Sequence, residues 1–353
     1  MNKVRRHSLA LANRFGSRGN AKAREHTACA GSGGASRQFA SGLSSDRHDG
    51  DLSPQVFTQF QTLIYNEAGI WLGPHKTALL IGRLSRRLRS LRLRSMAEYF
   101  ALVTQPDQQH ERVRMIDCIT TNETRFFREP RHFEFLAQTV FPRWREEVSR
   151  GARAAQIRIW SAGCSSGEEP YSLAMMLLDH FGDLGWKLEI AATDISTRVL
   201  EEARAGIFPV GESKDIPAKY LSSYFLRGTG EQQGHMKVCQ EVQELVTFSR
   251  VNLHADPYNI SNSFDLIFLR NVMIYFDQKS KNKVLAGLLD HLSPSGYLFV
   301  GHSESLQGLD TSLKPVGSSV YSRVGKSNLS LAAKREQSNE VSEPTIPVGS
   351  NGY

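Results

Sequence analysis

The chain has 353 residues, 40% of them hydrophobic, enough for one large domain or two smaller ones with real cores. Its net charge of +7 is unevenly placed: residues 1–50 hold nine Lys/Arg against three Asp/Glu, a net of +6, which leaves about +1 for the other 303. The high isoelectric point is therefore mostly a property of the leader and does not mark the folded part as a nucleic-acid binder.

Residues 1–50 are rich in Gly, Ser, Ala and Arg, as in GSGGASRQFASGLSS. They cannot bury enough apolar surface to order themselves, and a disordered basic leader is expected rather than a transit peptide. A helical N-terminal domain and linker is expected over 51–135. Ser53 stands as an N-cap before Pro54, and Phe57, Phe60, Leu63 and Ile64 recur at helical spacing. A second helix, 76–93, places Leu80, Leu84, Leu88 and Leu91 on one side. Its other sides carry Arg83, Arg86, Arg87, Arg89, Arg92 and Arg94.

From Ile157 the texture alternates. IRIWSAG, KLEIAATDI, FDLIFL and GYLFVGHSE read as strands, and EPYSLAMMLLDHF, STRVLEEARAGIF and KSKNKVLAGLLDHL as helices. That is a βαβ series and predicts a mostly parallel sheet over 136–324. Residues 219–253 break the series with the turn signals RGTG and QQG, and read as a small antiparallel β insertion. Residues 325–353 read as a disordered tail. The four cysteines, Cys29, Cys118, Cys164 and Cys239, lack CxxC spacing, so neither a disulfide framework nor a metal site is expected. No run of about 18 apolar residues suggests a membrane span.

Ligands of open α/β sheets sit beyond the carboxyl ends of the strands. Here the first such turn is SAGCSSGEE. Its small residues allow close approach, but Glu168 and Glu169 would repel a phosphate. A ligand with a cationic centre and no phosphate, such as S-adenosylmethionine, suits it better. Glu168 is the expected ligand contact and Glu169 a first-turn helix acid. Asp194, ending the second strand, is placed to bind ribose hydroxyls, and Arg270, Asn271 and Tyr275 reach the same edge. Met175 and Met176 read as core, and His302 as a strand-end residue used for packing or capping.

Five ordered motifs then become specific: TTNETRFFREPRHFEFL (120–136), GCSSGEEPYSLAM (163–175), ATDIS (192–196), RNVMIYFD (270–277) and GYLFVGHSESL (296–306). Together they closely resemble the CheR-type chemotaxis receptor (protein-glutamate) O-methyltransferases over about 51–324. The resemblance implies a small all-helical domain followed by a Rossmann-like methyltransferase domain. It implies S-adenosylmethionine as cofactor, S-adenosylhomocysteine as product, and glutamate side chains of chemoreceptor helices as substrate. It places Asn122, Thr124, Arg128, Glu168, Asp194, Asn252, Leu253, Arg270 and Asn271 at the cofactor. Within that set, Arg128 also lies near the reacting carboxylate and Asn252 and Leu253 at the adenine, while Tyr275 faces the substrate glutamate. It further implies a cytoplasmic monomer that docks receptors through the basic helix and the insertion, with no nucleic acid and no membrane insertion. A glutamate is ionised at neutral pH and needs no general base, which agrees with the lack of any Ser/His/Asp or Cys/His constellation.

Overall fold

The computed structural model describes residues 52–260, 263–309 and 312–323. The leader reading of 1–50, the tail reading of 325–353 and Cys29 lie outside the described residues. The first helix, α1 (Pro54–Ala68), starts where the sequence marks it. Ser53 Oγ accepts the Val56 N–H at 3.3 Å, and Gly69, at φ 70°, ends it. Helices α2 (Thr77–Leu91), α3 (Met96–Val103) and α4 (Gln109–Ile119) follow. They close on a core of Phe60, Ile64, Leu80, Leu84, Tyr99 and Met115.

One polar network lies inside this bundle. Arg87 donates to both oxygens of Glu111 at 2.8 and 2.5 Å, and the Tyr99 hydroxyl donates to Glu111 Oε1 at 2.9 Å. Burial alone would raise the Glu111 carboxyl, but hydrogen bonds from Arg87 and Tyr99 outweigh it and hold the group below its usual range. Arg87 is thus committed inward and is not part of the basic surface of α2.

A continuous helical run leads to the sheet: α5 (Pro130–Phe135), a π-type turn Leu136–Val140, and α6 (Phe141–Ser149). Then come β1 (Gln156–Ala162), α7 (Glu168–Phe181), β2 (Lys187–Asp194), α8 (Thr197–Ala205) and β3 (Ile207–Pro209). They are followed by α9 (Ala218–Tyr224), β4 (Phe225–Arg227), β5 (His235–Val238), α10 (Gln240–Glu244) and β6 (Val246–Arg250). The chain continues through β7 (Phe264–Leu269), a 3₁₀ turn Met273–Tyr275, α11 (Gln278–Asp290), β8 (Leu292–Val300), β9 (Leu313–Gly317) and β10 (Val320–Arg323).

The main sheet has the order β6-β2-β1-β7-β8-β10-β9, parallel from β6 to β8 and antiparallel beyond. Alternation along β1 sends Ile157 and Ile159 into one core with α7, and Trp160 and Ala162 into a second core with α11. Both faces are covered, as a parallel sheet requires. The chain builds outward from β1 to β2, crosses over, and builds the other way from β7 to β8. The strand order therefore reverses between β1 and β7.

The structure differs from the sequence reading in three places. The antiparallel sheet has the order β3-β5-β4 and occupies 207–238; it does not span 219–253. Its first strand follows Gly206, which ends α8 in a left-handed conformation, so IF continues no helix. At the other end α10 turns the chain back, and Val246–Arg250 pairs in parallel with β2. The terminal hairpin of β9 and β10 was not anticipated; its short strands carry little alternation.

The helical part is fastened to the sheet by polar contacts. Asp117 of α4 accepts the N–H of Thr197 at 2.9 Å and its hydroxyl at 2.7 Å, capping α8 from outside. The Trp71 N–H donates to the Tyr275 carbonyl at 2.9 Å, beside a β-bridge between Ile70 and Phe276.

Glu111→Gln is expected to cost roughly 3 kcal/mol at neutral pH, read by denaturant unfolding, because it removes the partner of a mostly buried guanidinium. The folded carboxyl titrates below its unfolded value of about 4.3. The wild-type advantage should be complete above that value and vanish as pH falls through the folded one. A variant equal to wild type at neutral pH would show the network to be incidental.

Candidate active site

The carboxyl ends of β1, β2, β6 and β7 open into a cavity of about 490 Å³, closed from the other side by the α1–α2 connection and residues 119–128. It sits at the reversal of strand order, where ligands of open sheets bind.

The turn after β1 is held tightly. Gly163 and Cys164 both donate their N–H to the Thr193 carbonyl, at 2.8 and 2.9 Å. Gly163 has φ 89°, and a Cβ there would run into the Val272 side chain. The position therefore needs glycine on both counts. Asp194 at the end of β2 is buried. Its Oδ2 accepts the Ser165 N–H and its Oδ1 the Ser196 N–H, each at 2.9 Å. Burial raises its carboxyl above the usual range against the pull of those two amides. Each oxygen keeps a lone pair for a ligand hydroxyl.

The two adjacent carboxylates part company. Successive helix positions are about 100° apart, so they cannot share one side. Glu169 faces the cavity; it accepts from Ser161 Oγ at 2.7 Å and Arg270 Nη1 at 3.1 Å. Glu168 turns away. It is 4% exposed, both its oxygens take the Ser166 hydroxyl at 2.9 Å, and it does not line the cavity. Burial first, then the nearby carboxylates of Glu212 and Glu202, push it up to about 7 against the local hydrogen bonds. Of the two, Glu169 lines the cavity and the expected contact, Glu168, does not.

Arg270, at the end of β7, has a side chain only 2% exposed. Its Nε and Nη2 donate to Glu129 Oε2 at 3.2 and 3.1 Å, its Nη1 to Glu169, and its Nη2 also to the Arg128 carbonyl. Burial would raise Glu129, but the charge of Arg270 and the N–H of His302 outweigh it and leave the group low. Asn271 adopts φ 60°, and its N–H donates to Glu304 Oε2 at 2.8 Å, as does the Gly301 N–H at 2.6 Å. This buried carboxylate fixes the loop that carries Asn271 and Tyr275 inward.

Residues 120–123 form a strap whose successive carbonyls are each taken by a different element. Thr120 O accepts from Arg83 Nη1 at 3.0 Å, Thr121 O from the Tyr275 hydroxyl at 3.4 Å, Asn122 O from Ser165 Oγ at 2.9 Å, and Glu123 O from Arg128 Nη1 at 2.9 Å. The Asn122 side chain meets Thr120 and Arg198, and Asn252 reaches the Glu67 carbonyl at 2.6 Å.

The cavity thus brings together Asn122, Thr124, Arg128, Asp194, Asn252, Leu253, Arg270, Asn271 and Tyr275; Glu168 alone of the expected set is not among them. Sequence reasoning missed the helical part's share: Ile70, Trp71, Leu72, Lys76 and Leu79 also line it. The one available signal was a tryptophan in the short GIWLGP connection, which the structure leaves 52% exposed.

Two family models match the chain. The CheR methyltransferase all-alpha domain covers residues 55–120 and the CheR methyltransferase SAM-binding domain residues 122–322. The chain belongs to the CheR methyltransferase family. Among curated relatives it is similar to the chemotaxis protein methyltransferase of Escherichia coli K12, 42% identical over 76% of this chain and 91% of that protein. It is likewise similar to chemotaxis protein methyltransferase 2 of Pseudomonas aeruginosa, at 40% over 75% and 92%. The chemotaxis protein methyltransferase of Borreliella burgdorferi matches at 40% over 73% and 90%. It is an S-adenosylmethionine-dependent methyltransferase. The CheR site fits that cofactor on its own terms. Asp194 offers acceptors for ribose hydroxyls, Val251 and Leu253 offer an apolar shelf for a base, and Glu169 and Asp194 favour a cation over a phosphate.

Because folded Glu168 holds its proton up to about pH 7, the folded chain binds more protons than the unfolded chain between about pH 4.3 and pH 7. The contribution of Glu168 to stability should therefore fall across that window as pH rises, by roughly 4 kcal/mol at most. Glu168→Gln should remove this slope and gain on wild type between pH 5 and pH 8 in urea unfolding. Parallel profiles would place the proton elsewhere.

Proposed function

We propose that this enzyme transfers the methyl group of S-adenosylmethionine to glutamate carboxylates on the cytoplasmic helices of chemoreceptors. The products would be glutamate methyl esters and S-adenosylhomocysteine, serving adaptation in chemotaxis from the cytoplasm. The observation that carries this reading is the pairing of Arg128 and Tyr275 in one cavity wall, both tied to carbonyls of the same strap.

Bound S-adenosylmethionine supplies an electrophilic methyl group on a sulfonium. The substrate carboxylate, ionised at neutral pH, is already a nucleophile, so the protein's task is alignment. Arg128 spends one Nη1–H on Glu123 O and keeps the rest of its fork for a carboxylate. Burial raises the Tyr275 phenol, which therefore remains a hydroxyl able to donate. The apolar wall of Trp71, Leu72 and Leu79 limits water where opposite charges cancel as the methyl moves. Asp194 is placed for ribose hydroxyls and Glu169 for the cationic end of the cofactor.

Receptor docking is assigned to the exposed face of α2. With Arg83 on the strap and Arg87 on Glu111, that face is left with Arg86 and Arg89, and Arg92 and Arg94 follow just past the helix end, all four exposed. It complements a glutamate-bearing helix.

The direct test is transfer of labelled methyl from S-adenosylmethionine to a chemoreceptor cytoplasmic fragment, followed by mild alkali. Release as methanol is expected for an ester; a base-stable label would sink the glutamate assignment. Arg128→Ala should retain at least part of its cofactor affinity by calorimetry while methyl transfer falls about a hundredfold or more. Equal loss of both would make Arg128 a cofactor residue only. Reversing Arg86 and Arg89 to Glu should lower kcat/KM for receptor about tenfold at low salt, leave cofactor affinity unchanged, and blunt the salt dependence. An unaltered salt response would move docking off α2.

A further inference from the structure

Methyl transfer leaves one cluster unexplained. Glu129 precedes α5, His132 sits in its first turn, and His302 follows β8. One donor atom from each lies within 4.8 Å of the others. His132 is 1% exposed. Its Nε2 lies 3.2 Å from the Ser318 carbonyl, a bond that requires the proton on Nε2. Nδ1 is then a lone pair. It is buried without a hydrogen-bond partner, and it faces Glu129 Oε2 at 3.4 Å. Arg270 already gives Glu129 Oε2 two N–H groups, whereas His132 Nδ1 has no donor; a cation between the two atoms would give that lone pair a partner.

We propose that Glu129, His132 and His302 bind one divalent transition-metal ion of the zinc, cobalt or nickel class. In a tetrahedral site with bonds near 2.0–2.1 Å, neighbouring donors stand roughly 3.3 Å apart, and His132 Nδ1 and Glu129 Oε2 already stand at 3.4 Å. His302 supplies the third donor. Its ring lies 5.2 Å from that of His132, and its exposed side chain is free to swing the remaining distance. The supporting contacts are those metal ligands use: an imidazole N–H on a backbone carbonyl, and a carboxylate held by hydrogen bonds from Arg270 and the His302 N–H. Two imidazoles and one carboxylate select a transition metal over magnesium or calcium, and a tetrahedral ion would keep its fourth position for water. The sequence gives no sign of the site, since EPRH and GHSES lie about 170 residues apart. None of the three ligands lines the cavity, though Glu129 also holds Arg270, which does.

The test uses the full chain, stripped with a chelator and titrated with cobalt(II) and zinc(II), beside His302→Ala. The replaced side chain is exposed and outside the cavity, so the variant should fold. Wild type is expected to take up one equivalent more than the variant, with visible cobalt absorption of a four-coordinate ion. Zinc affinity at that site, read by competition with a chromophoric chelator, should drop at least about tenfold in the variant. Binding by other histidines and cysteines is common to both chains and cancels in the difference. Identical titrations and spectra, whether strong or absent, would overturn the proposal.

Discussion

The site depends on one buried cation. Arg270 ends the central strand β7 with its guanidinium withdrawn from solvent, and it draws the start of α7, through Glu169, and the segment 128–129 onto that strand end. Such a pair is weak evidence for net stability, because desolvation offsets most of the attraction. Its value is geometric. A buried guanidinium without its carboxylates would be far more costly than the pair is beneficial, so the three segments are constrained to meet. The crevice between β1 and β7 inherits its shape from that meeting.

A second layer of organisation comes from the helical part. It fills the open side of the crevice, caps α8 with Asp117, and bridges to the 3₁₀ turn that carries Tyr275. Arg83 shows how the layers combine: it stands on the helix assigned to docking, yet its guanidinium holds the strap over the cavity. The surface proposed to meet the receptor and the residues proposed to align the carboxylate are thus separated by one side chain.

Much of this was legible in the residues. The period-two strands and period-3.6 helices from Ile157 onward gave the parallel sheet, and that pattern brought Asp194, Arg270 and Asn271 to one edge by topology alone. The choice between Glu168 and Glu169 was not legible, since adjacent acids at a helix start are equivalent until the packing of α7 decides which one turns inward. The partner of Val246–Arg250 was hidden for a similar reason. A short strand after a short helix can return to its own hairpin or join the main sheet, and only the open edge of β2 selects the second. Trp71 and Lys76 were missed because they act across a domain boundary. The resemblance carried the named residues further than periodicity could, and it was silent on the Glu304 carboxylate that shapes the Asn271 loop.

The strap has a consequence for how the enzyme can vary. Arg83, Tyr275, Ser165 and Arg128 each donate to a main-chain oxygen of the strap, which every amino acid possesses, and Arg83 alone adds a side-chain acceptor, the Thr121 hydroxyl. Exchanging side chains along 120–123 leaves those four acceptors in place, whereas adding or deleting a single residue would put each of them out of step with its donor. Apart from Asn122, whose side chain also meets Thr120 and Arg198, this part of the active site is written in spacing rather than in letters and should tolerate substitution far better than any change in length.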